Sequence, residues 1–161
     1  MTVTSVHMDP ATKTMTIEAE FPAPVDRVWQ LWDDPRQLER WWGPPTYPAT
    51  VLDHDLRPGG QVTYFMTGPE GDKHGGWWRI VAVDAPRALE FEDGFADAAG
   101  NPDAQLPTMT VRVTLREQGE GGTRMEIVTT FPSAEAMDQM IAMGMEEGMS
   151  AALGQIDELL T

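Results

Sequence analysis

His54 is the first residue whose side chain could bind a ligand or take part in catalysis on an apolar face of a strand. In the segment "TVLDHDLRP" it alternates with Leu52 and Leu56, so the three side chains share one face of a strand. If the leucines face the core, His54 faces it too, where an imidazole could orient a ligand or act as a general base. The alternative is a buried histidine that hydrogen-bonds a backbone carbonyl, and we favour that alternative.

Tyr64 is the second such residue. It shares a strand face with Val62 and Met66, which places its hydroxyl on an apolar surface. The hydroxyl could bind a ligand or hydrogen-bond a neighbour. His54 and Tyr64 are therefore weak candidates for catalysis. Asp93 also lies on an apolar strand face; we interpret it as the end of that strand, with an acid role as the lesser alternative.

Metal and cofactor sites are not predicted. The three histidines (His7, His54 and His74) are far apart, and on a regular strand His54 points away from Asp53 and Asp55. The absence of cysteine excludes disulfides, thiolate metal sites and cysteine nucleophiles. The chain also lacks the short motifs of zinc peptidases, serine hydrolases, phosphate-binding loops and dinucleotide-binding folds. Catalytic residues therefore stay unassigned.

The composition narrows the class of protein and its partners. A chain of 161 residues fits one domain, residues 1–161. The net charge of −15 argues against DNA, RNA and anionic membranes as partners. The N-terminal residues do not form a signal peptide, and no apolar run approaches the length of a membrane span. We expect no membrane insertion and a cytoplasmic location.

Four of the six tryptophans form two adjacent pairs, Trp41-Trp42 and Trp77-Trp78. Successive residues point about 100° apart on a helix and to opposite faces on a strand. Trp78 shares its face with Ile80 and is predicted inside, which leaves Trp77 on the outer face. We expect one ring of each pair to line a ligand site; the alternative is plain packing.

The periodicity predicts strands followed by one long helix. Residues 14–21 alternate strictly, and residues 3–8 are a hairpin partner for them. Two short helices are predicted next, in "APVDRVWQLW" and "DPRQLERWW". The further predicted strands are 50–57, 60–67, 76–84, 88–94, 107–117 and 122–131. The irregular stretch 94–107 is either a functional lid or merely a mobile loop.

From Ser133 the apolar period changes to that of a helix, which we expect to run to the end of the chain. Its apolar stripe consists of Met137, Ile141, Met145, Met149, Ala152, Ile156 and Leu160. Gly144 and Gly148 lie one turn apart near this stripe, although glycine is unfavourable inside a helix. Glycines beside methionines favour a cavity that accommodates a guest.

The ordered set of motifs resembles the helix-grip SRPBCC superfamily, which includes START lipid-transfer domains and birch-pollen allergen relatives. The resemblance covers roughly residues 14–160 and looks closest to the branch similar to activators of heat-shock ATPases. Its markers are Val28-Trp29, Asp34-Pro35, Trp41-Trp42-Gly43-Pro44, Asp55-x-Arg57-Pro58-Gly59-Gly60, Gly76 with its following aromatic residue, and Leu153. One departure is Gly148-Met149, where family members often carry Gly-Trp.

The resemblance implies an α+β fold: a curved antiparallel sheet of seven or slightly more strands, wrapped around a long C-terminal helix. It also implies a cavity between helix and sheet, in which members of the superfamily hold lipids, sterols, aromatic polyketides or plant hormones. No catalytic motif is shared across the superfamily, so none is carried over.

Our leading hypothesis is a small-molecule binding protein with an apolar cavity for a hydrophobic or aromatic ligand. The predicted ligand-binding residues are Trp42, His54, Tyr64, Trp78, Phe91, Met109, Met145 and Met149. The first alternative is a cyclase, hydratase or hydrolase that uses His54 and Tyr64 in the same cavity. The second alternative is a co-chaperone that regulates a heat-shock ATPase. A homodimer through Trp77 and Met143 is a further possibility.

Overall fold

The computed structural model describes residues 3–97 and 99–160. The chain forms eight strands and five helices within these residues, with two helices between the second and third strands. The elements are β1 (Val3–Asp9), β2 (Thr14–Phe21), α1 (Val25–Asp33), α2 (Pro35–Trp41), β3 (Ala49–His54), β4 (Gln61–Thr67), β5 (Lys73–Asp84), β6 (Ala88–Ala96), β7 (Met109–Gln118), β8 (Gly122–Thr130), α3 (Ala134–Ala142), α4 (Met145–Gly154) and α5 (Ile156–Leu159).

The eight strands form one antiparallel sheet in the order β1-β2-β8-β7-β6-β5-β4-β3. The sheet is curved and does not close into a barrel, so β1 and β3 are its edges. The helical C-terminal segment completes an α+β helix-grip fold. This confirms the predicted fold class, with one strand more than the minimum of seven.

The alternation in β2 has the predicted consequence. Met15, Ile17, Ala19 and Phe21 are each at most 3% exposed, whereas the residues between them are only partly buried. Because side chains of a strand point to opposite faces in turn, the apolar set covers the inner face of the curved sheet. The same inner face continues across β8, β7, β6 and β5.

The two short helices α1 and α2 pack against the sheet. Pro24 precedes α1, where its missing N–H is not needed, and the Asp34 side chain caps α2 by accepting from the Arg36 N–H at 2.9 Å. Trp32 of α1 and Trp41 of α2 are fully buried. Their rings meet edge to face, with centroids 4.8 Å apart.

The C-terminal segment begins at the predicted N-cap, because the Ser133 hydroxyl accepts from the Ala136 N–H at 3.0 Å. It is helical but divided, so the expectation of one uninterrupted helix is wrong. Gly144 has a left-handed conformation (φ +88°), which separates α3 from α4. A second interruption lies at Gln155, whose side-chain amide donates to the Gly43 carbonyl at 2.7 Å.

The irregular stretch is shorter than the predicted 94–107, because β6 continues to Ala96. Beyond the strand, the Asp97 carboxylate accepts from the N–H groups of Ala99 and Asn101, at 3.0 and 2.9 Å. The Asp103 N–H donates to the Phe95 carbonyl. These bonds shape the described part of the loop as a turn against the end of β6, and its role as a lid stays a prediction.

Candidate functional site

A cavity of about 230 Å³ lies between helices α3 and α4 and the inner face of strands β4, β6 and β7. The helices contribute Met140, Met143, Gly144, Met145, Gly148 and Met149. The sheet contributes Tyr64, Met66, Asp93, Phe95 and Met109, and Trp42 and Pro44 complete the lining after α2. Six of the 11 methionines of the chain therefore surround one space.

Both glycines of the helical segment belong to this lining, for different reasons. Gly144 supplies the left-handed conformation that divides the helix. Gly148 lies within α4, and a Cβ atom there would meet no atom within 4 Å, so it faces open space. Met143, 57% exposed, lies beside the break in the helix. The sequence-based expectation of space beside these glycines is thus met in the structure.

Aromatic rings form the rigid side of the cavity. The Trp42 ring packs edge to face on Trp78, with centroids 4.8 Å apart, and on Tyr64 at 6.1 Å. Trp78 in turn stacks on Phe91 at 4.1 Å. Trp78 and Phe91 are fully buried and do not belong to the lining, so they hold Trp42 and Tyr64 in place from behind.

The structure brings five of the eight predicted ligand-binding residues to the cavity. These are Trp42, Tyr64, Met109, Met145 and Met149. Trp78 and Phe91 form the layer behind them. His54 is placed elsewhere, and its ligand-binding role has no support in the geometry.

His54 lies against the end of α1. Its Nε2 atom is 2.9 Å from the carbonyl oxygen of Trp32, which is the structural alternative considered for this residue. The premise that Leu52 faces the core is wrong, because Leu52 is 61% exposed. A register shift between Val51 and Asp53 interrupts the regular alternation of β3, and the sequence shows no sign of this bulge.

Tyr64 and Asp93 are the polar pair of the cavity. Tyr64 lies opposite Gly76 on β5, where a Cβ atom would come within 2.3 Å of the phenol oxygen, so only glycine leaves room for this ring. Burial raises the pKa of the Tyr64 hydroxyl, and the Asp93 carboxylate beside it raises it further. The phenol is therefore a permanent hydrogen-bond donor at neutral pH.

Burial raises the pKa of Asp93 to about 7, and hydrogen bonding by the Tyr64 hydroxyl opposes this rise. Two indole N–H groups, of Trp42 and Trp78, are buried without a hydrogen-bond partner of good geometry. Both indole rings contact the Tyr64 ring, with centroids 6.1 and 6.3 Å away, and both oppose the rise of the Tyr64 pKa. The polar groups of the cavity are thus the Asp93 carboxyl group and the Tyr64 hydroxyl, and the two indoles lie beside the tyrosine.

Asp93 is the residue that sequence reasoning undervalued. Its strand was predicted to stop at residue 94, whereas β6 continues to Ala96 and places Phe95 on the cavity. Asp93 therefore interrupts an inward apolar row, Leu89-Phe91-Asp93-Phe95, rather than ending it. A carboxylate between two inward aromatic residues was the feature that could have identified it.

Trp77 points to the outer face, opposite to Trp78. Its ring lies over Gly94, and its indole N–H donates to the Phe95 carbonyl at 3.1 Å. The ring is thus half-buried by contacts within the chain. A homodimer through Trp77 and Met143 stays a prediction.

Within residues 3–97 and 99–160, no three His, Asp or Glu side chains are grouped so that they could hold a metal ion. Each helix in the same part of the chain is too short or too polar to cross a lipid bilayer.

Comparison with known proteins assigns the family. Residues 22–161 match the family model described as activator of Hsp90 ATPase homolog 1-like protein. The chain belongs to this family. The match confirms the branch to which the sequence motifs pointed. A comparison with curated proteins found no match.

Solved structures share the fold of this family member over its whole length. Protein Ms6760 from Mycobacterium smegmatis is 58% identical, with a TM-score of 0.91 over 99% of this chain and 97% of that chain. A protein from Arthrobacter aurescens is 52% identical, with a TM-score of 0.94 over 99% and 92%. One from Staphylococcus epidermidis is 28% identical, with a TM-score of 0.83 over 98% and 93%.

Proposed function

We propose that this protein binds a small, largely apolar or aromatic molecule in the methionine-lined cavity. The observation that carries the proposal is the space of about 230 Å³ between α3, α4 and the sheet, surrounded by six methionines. Methionine side chains are unbranched and polarizable, so they adapt to guests of irregular shape. Ligand sites are typically such apolar hollows with a few well-placed polar groups. A cytoplasmic location is part of this proposal.

The contrast between the two walls supports a binding role. The aromatic wall of Trp42 and Tyr64 is held by buried rings behind it. The opposite wall consists of methionines on a divided helix, of which Met145 and Met149 are half-buried. One rigid and one adaptable wall can grip an apolar molecule without a large change in the sheet. Gly148 keeps the space open on the helical side.

The Asp93–Tyr64 pair supports a second candidate function, proton transfer to or from a molecule in the cavity. A carboxyl group with a pKa of about 7 can act as a general acid or base near neutral pH. Such a protein would be an enzyme that acts in the cavity, as in the first alternative from the sequence, but its acid–base group would be Asp93 instead of His54. It predicts turnover that disappears in Asp93→Asn while the variant stays folded. Regulation of a heat-shock ATPase stays a prediction that only the family description supports.

Calorimetric titration with naphthylmethanol tests the binding proposal. The side chain of Gly148→Leu would project into the cavity, because a Cβ at this position meets open space. Gly154→Leu is the matched control: it lies in the same helix, also has no atom within 4 Å of a Cβ, and does not line the cavity. We expect the wild type and Gly154→Leu to bind the probe and Gly148→Leu to lose at least about tenfold in affinity.

Equal affinity of the two leucine variants would show that the probe binds outside the cavity and would overturn the proposal. Thermal unfolding of both variants accompanies the titration, so that loss of binding is read only from folded protein.

A further inference from the structure

We propose that Asp93 selects ligands that carry a protonated amine on an apolar, aromatic body. This inference rests on the proposed binding function and names the class of ligand for the same cavity. It follows from a carboxyl group that lines the cavity and has no cationic partner among the described lining residues.

The surroundings of Asp93 contain no positive charge among the described lining residues. Its partners on the neighbouring strands are Trp78 of β5 and Met109 of β7, both uncharged. Across the cavity, α3 and α4 present methionines and glycines, and Tyr64 of β4 is the other titratable residue of the lining. Glu146 and Glu147 of α4 lie outside the lining. No described residue of the lining therefore carries a positive charge that could neutralise an ionised Asp93.

A bound cation would supply the missing partner. An isolated buried carboxylate is unfavourable, and pairing with an opposite charge removes much of that cost. The Tyr64 hydroxyl beside Asp93 lowers the pKa of the carboxyl group and so favours its ionised form, although burial outweighs this effect. Asp93 is only partly buried, so it can accept a further hydrogen bond from a ligand ammonium in the cavity.

The rest of the lining suits a cation with an aromatic body. The rings of Trp42, Tyr64 and Phe95 surround the carboxylate corner, and aromatic faces attract ammonium groups. The methionines provide apolar contacts for the body of the ligand. The net charge of −15 also favours the approach of cations over anions.

The two charge states of Asp93 give opposite pH dependences. An ammonium ligand requires the ionised carboxylate, so its affinity should rise with pH through the pKa of about 7. A neutral ligand that accepts a hydrogen bond from the protonated carboxyl group would instead lose affinity over the same range. The sign of the pH dependence therefore separates the two ligand chemistries.

The experiment compares naphthylmethylamine with naphthylmethanol, two probes of the same shape, by calorimetry at about pH 8. We expect the wild type to prefer the amine by about 10- to 100-fold, the range for a hydrogen bond to a charged group. Asp93→Asn should lose this preference, so that the two probes bind it with similar affinity. Tyr64→Phe, which retains the carboxylate, should still prefer the amine.

The outcomes separate this inference from the proposed function. If the wild type binds the alcohol as tightly as the amine, the inference that Asp93 selects amines is overturned, while the proposed binding function stands. If neither probe binds, both are overturned. Should Asp93→Asn fail to fold, the wild type decides alone: rising amine affinity between about pH 5.5 and 8 supports the inference, and falling affinity overturns it.

Discussion

Beneath α1 and α2 the inner face of the sheet is covered by aromatic rings in contact, whereas beneath α3 and α4 it borders a methionine-lined cavity. In the packed region, Trp32, Trp78 and Phe91 are fully buried, and the Trp32 indole N–H donates to the Met125 sulfur at 3.4 Å. In the cavity region, Met145 and Met149 are half-buried and surround open space.

The difference shows how one sheet can serve stability at one end and binding at the other. Flat rings interdigitate with defined geometry and leave no room, which makes the packed region a rigid support. Methionines on a helix that is divided at Gly144 leave space and can rearrange. The polar groups of the cavity, Tyr64 and Asp93, lie on the border between the two regions.

The largest loss of stability should come from truncating a side chain in the packed region. Trp78→Ala would remove a fully buried ring that contacts Phe91 and Trp42, and we expect a loss of about 3–5 kcal/mol in the free energy of unfolding. Met149→Ala, beside open space, should cost less than about 1.5 kcal/mol. Urea denaturation measures both values. Similar losses would contradict the distinction between the regions.

The second effect is the pH dependence of stability caused by Asp93. Its folded pKa of about 7 lies above that of an unfolded aspartate, so the folded state binds the proton more tightly. Its contribution is therefore most favourable at low pH and is lost as the pH rises towards about 7. Asp93→Asn should gain stability relative to the wild type between about pH 4 and 8, by about 1–4 kcal/mol. Urea titrations of both proteins at about pH 4 and 8 measure this gain. A stability difference between variant and wild type that is the same at both pH values would contradict the burial of this carboxylate.

The smallest expected changes in stability are those of alanine substitutions at Gly144 and Gly148, and they should have opposite signs. Gly144→Ala places a side chain in a left-handed conformation, and we expect a loss of about 1–2 kcal/mol. Gly148→Ala should instead gain up to about 1 kcal/mol, because alanine is the better helix former and meets no atom. Thermal unfolding of both variants measures this difference. A loss in Gly148→Ala would show that the space beside it is not free.

The sequence allowed the fold to be predicted almost completely, because its patterns are local. The alternation of residues 14–21 and the N-cap at Ser133 each depend on neighbours within a few positions. The resemblance to helix-grip proteins predicted how these elements assemble into a curved sheet and a C-terminal helical segment. The break at Gly144 was missed because a glycine inside an apolar stripe has the same spacing whether the helix continues or turns.

The site was predicted in part, for a similar reason. Tyr64 and Met149 follow from the inward faces of a strand and a helix, and both reach the cavity. His54 was misplaced because a bulge in β3 is set by pairing with β4, which the local sequence does not reveal. Asp93 was undervalued because its importance depends on burial among residues that are distant in the chain.

Methionines lie both in the cavity and in the packed core, so their methyl signals show directly whether an apolar molecule binds in the cavity. We propose titration of the ¹³C-methyl-methionine-labelled protein with naphthylmethanol, followed by NMR. We expect the methyl signals of the cavity methionines, including Met145 and Met149, to shift, while those of Met15 and Met125 in the packed core stay unchanged. Shifts at Met15 and Met125 without shifts in the cavity, or no shifts at all at saturating probe, would contradict it.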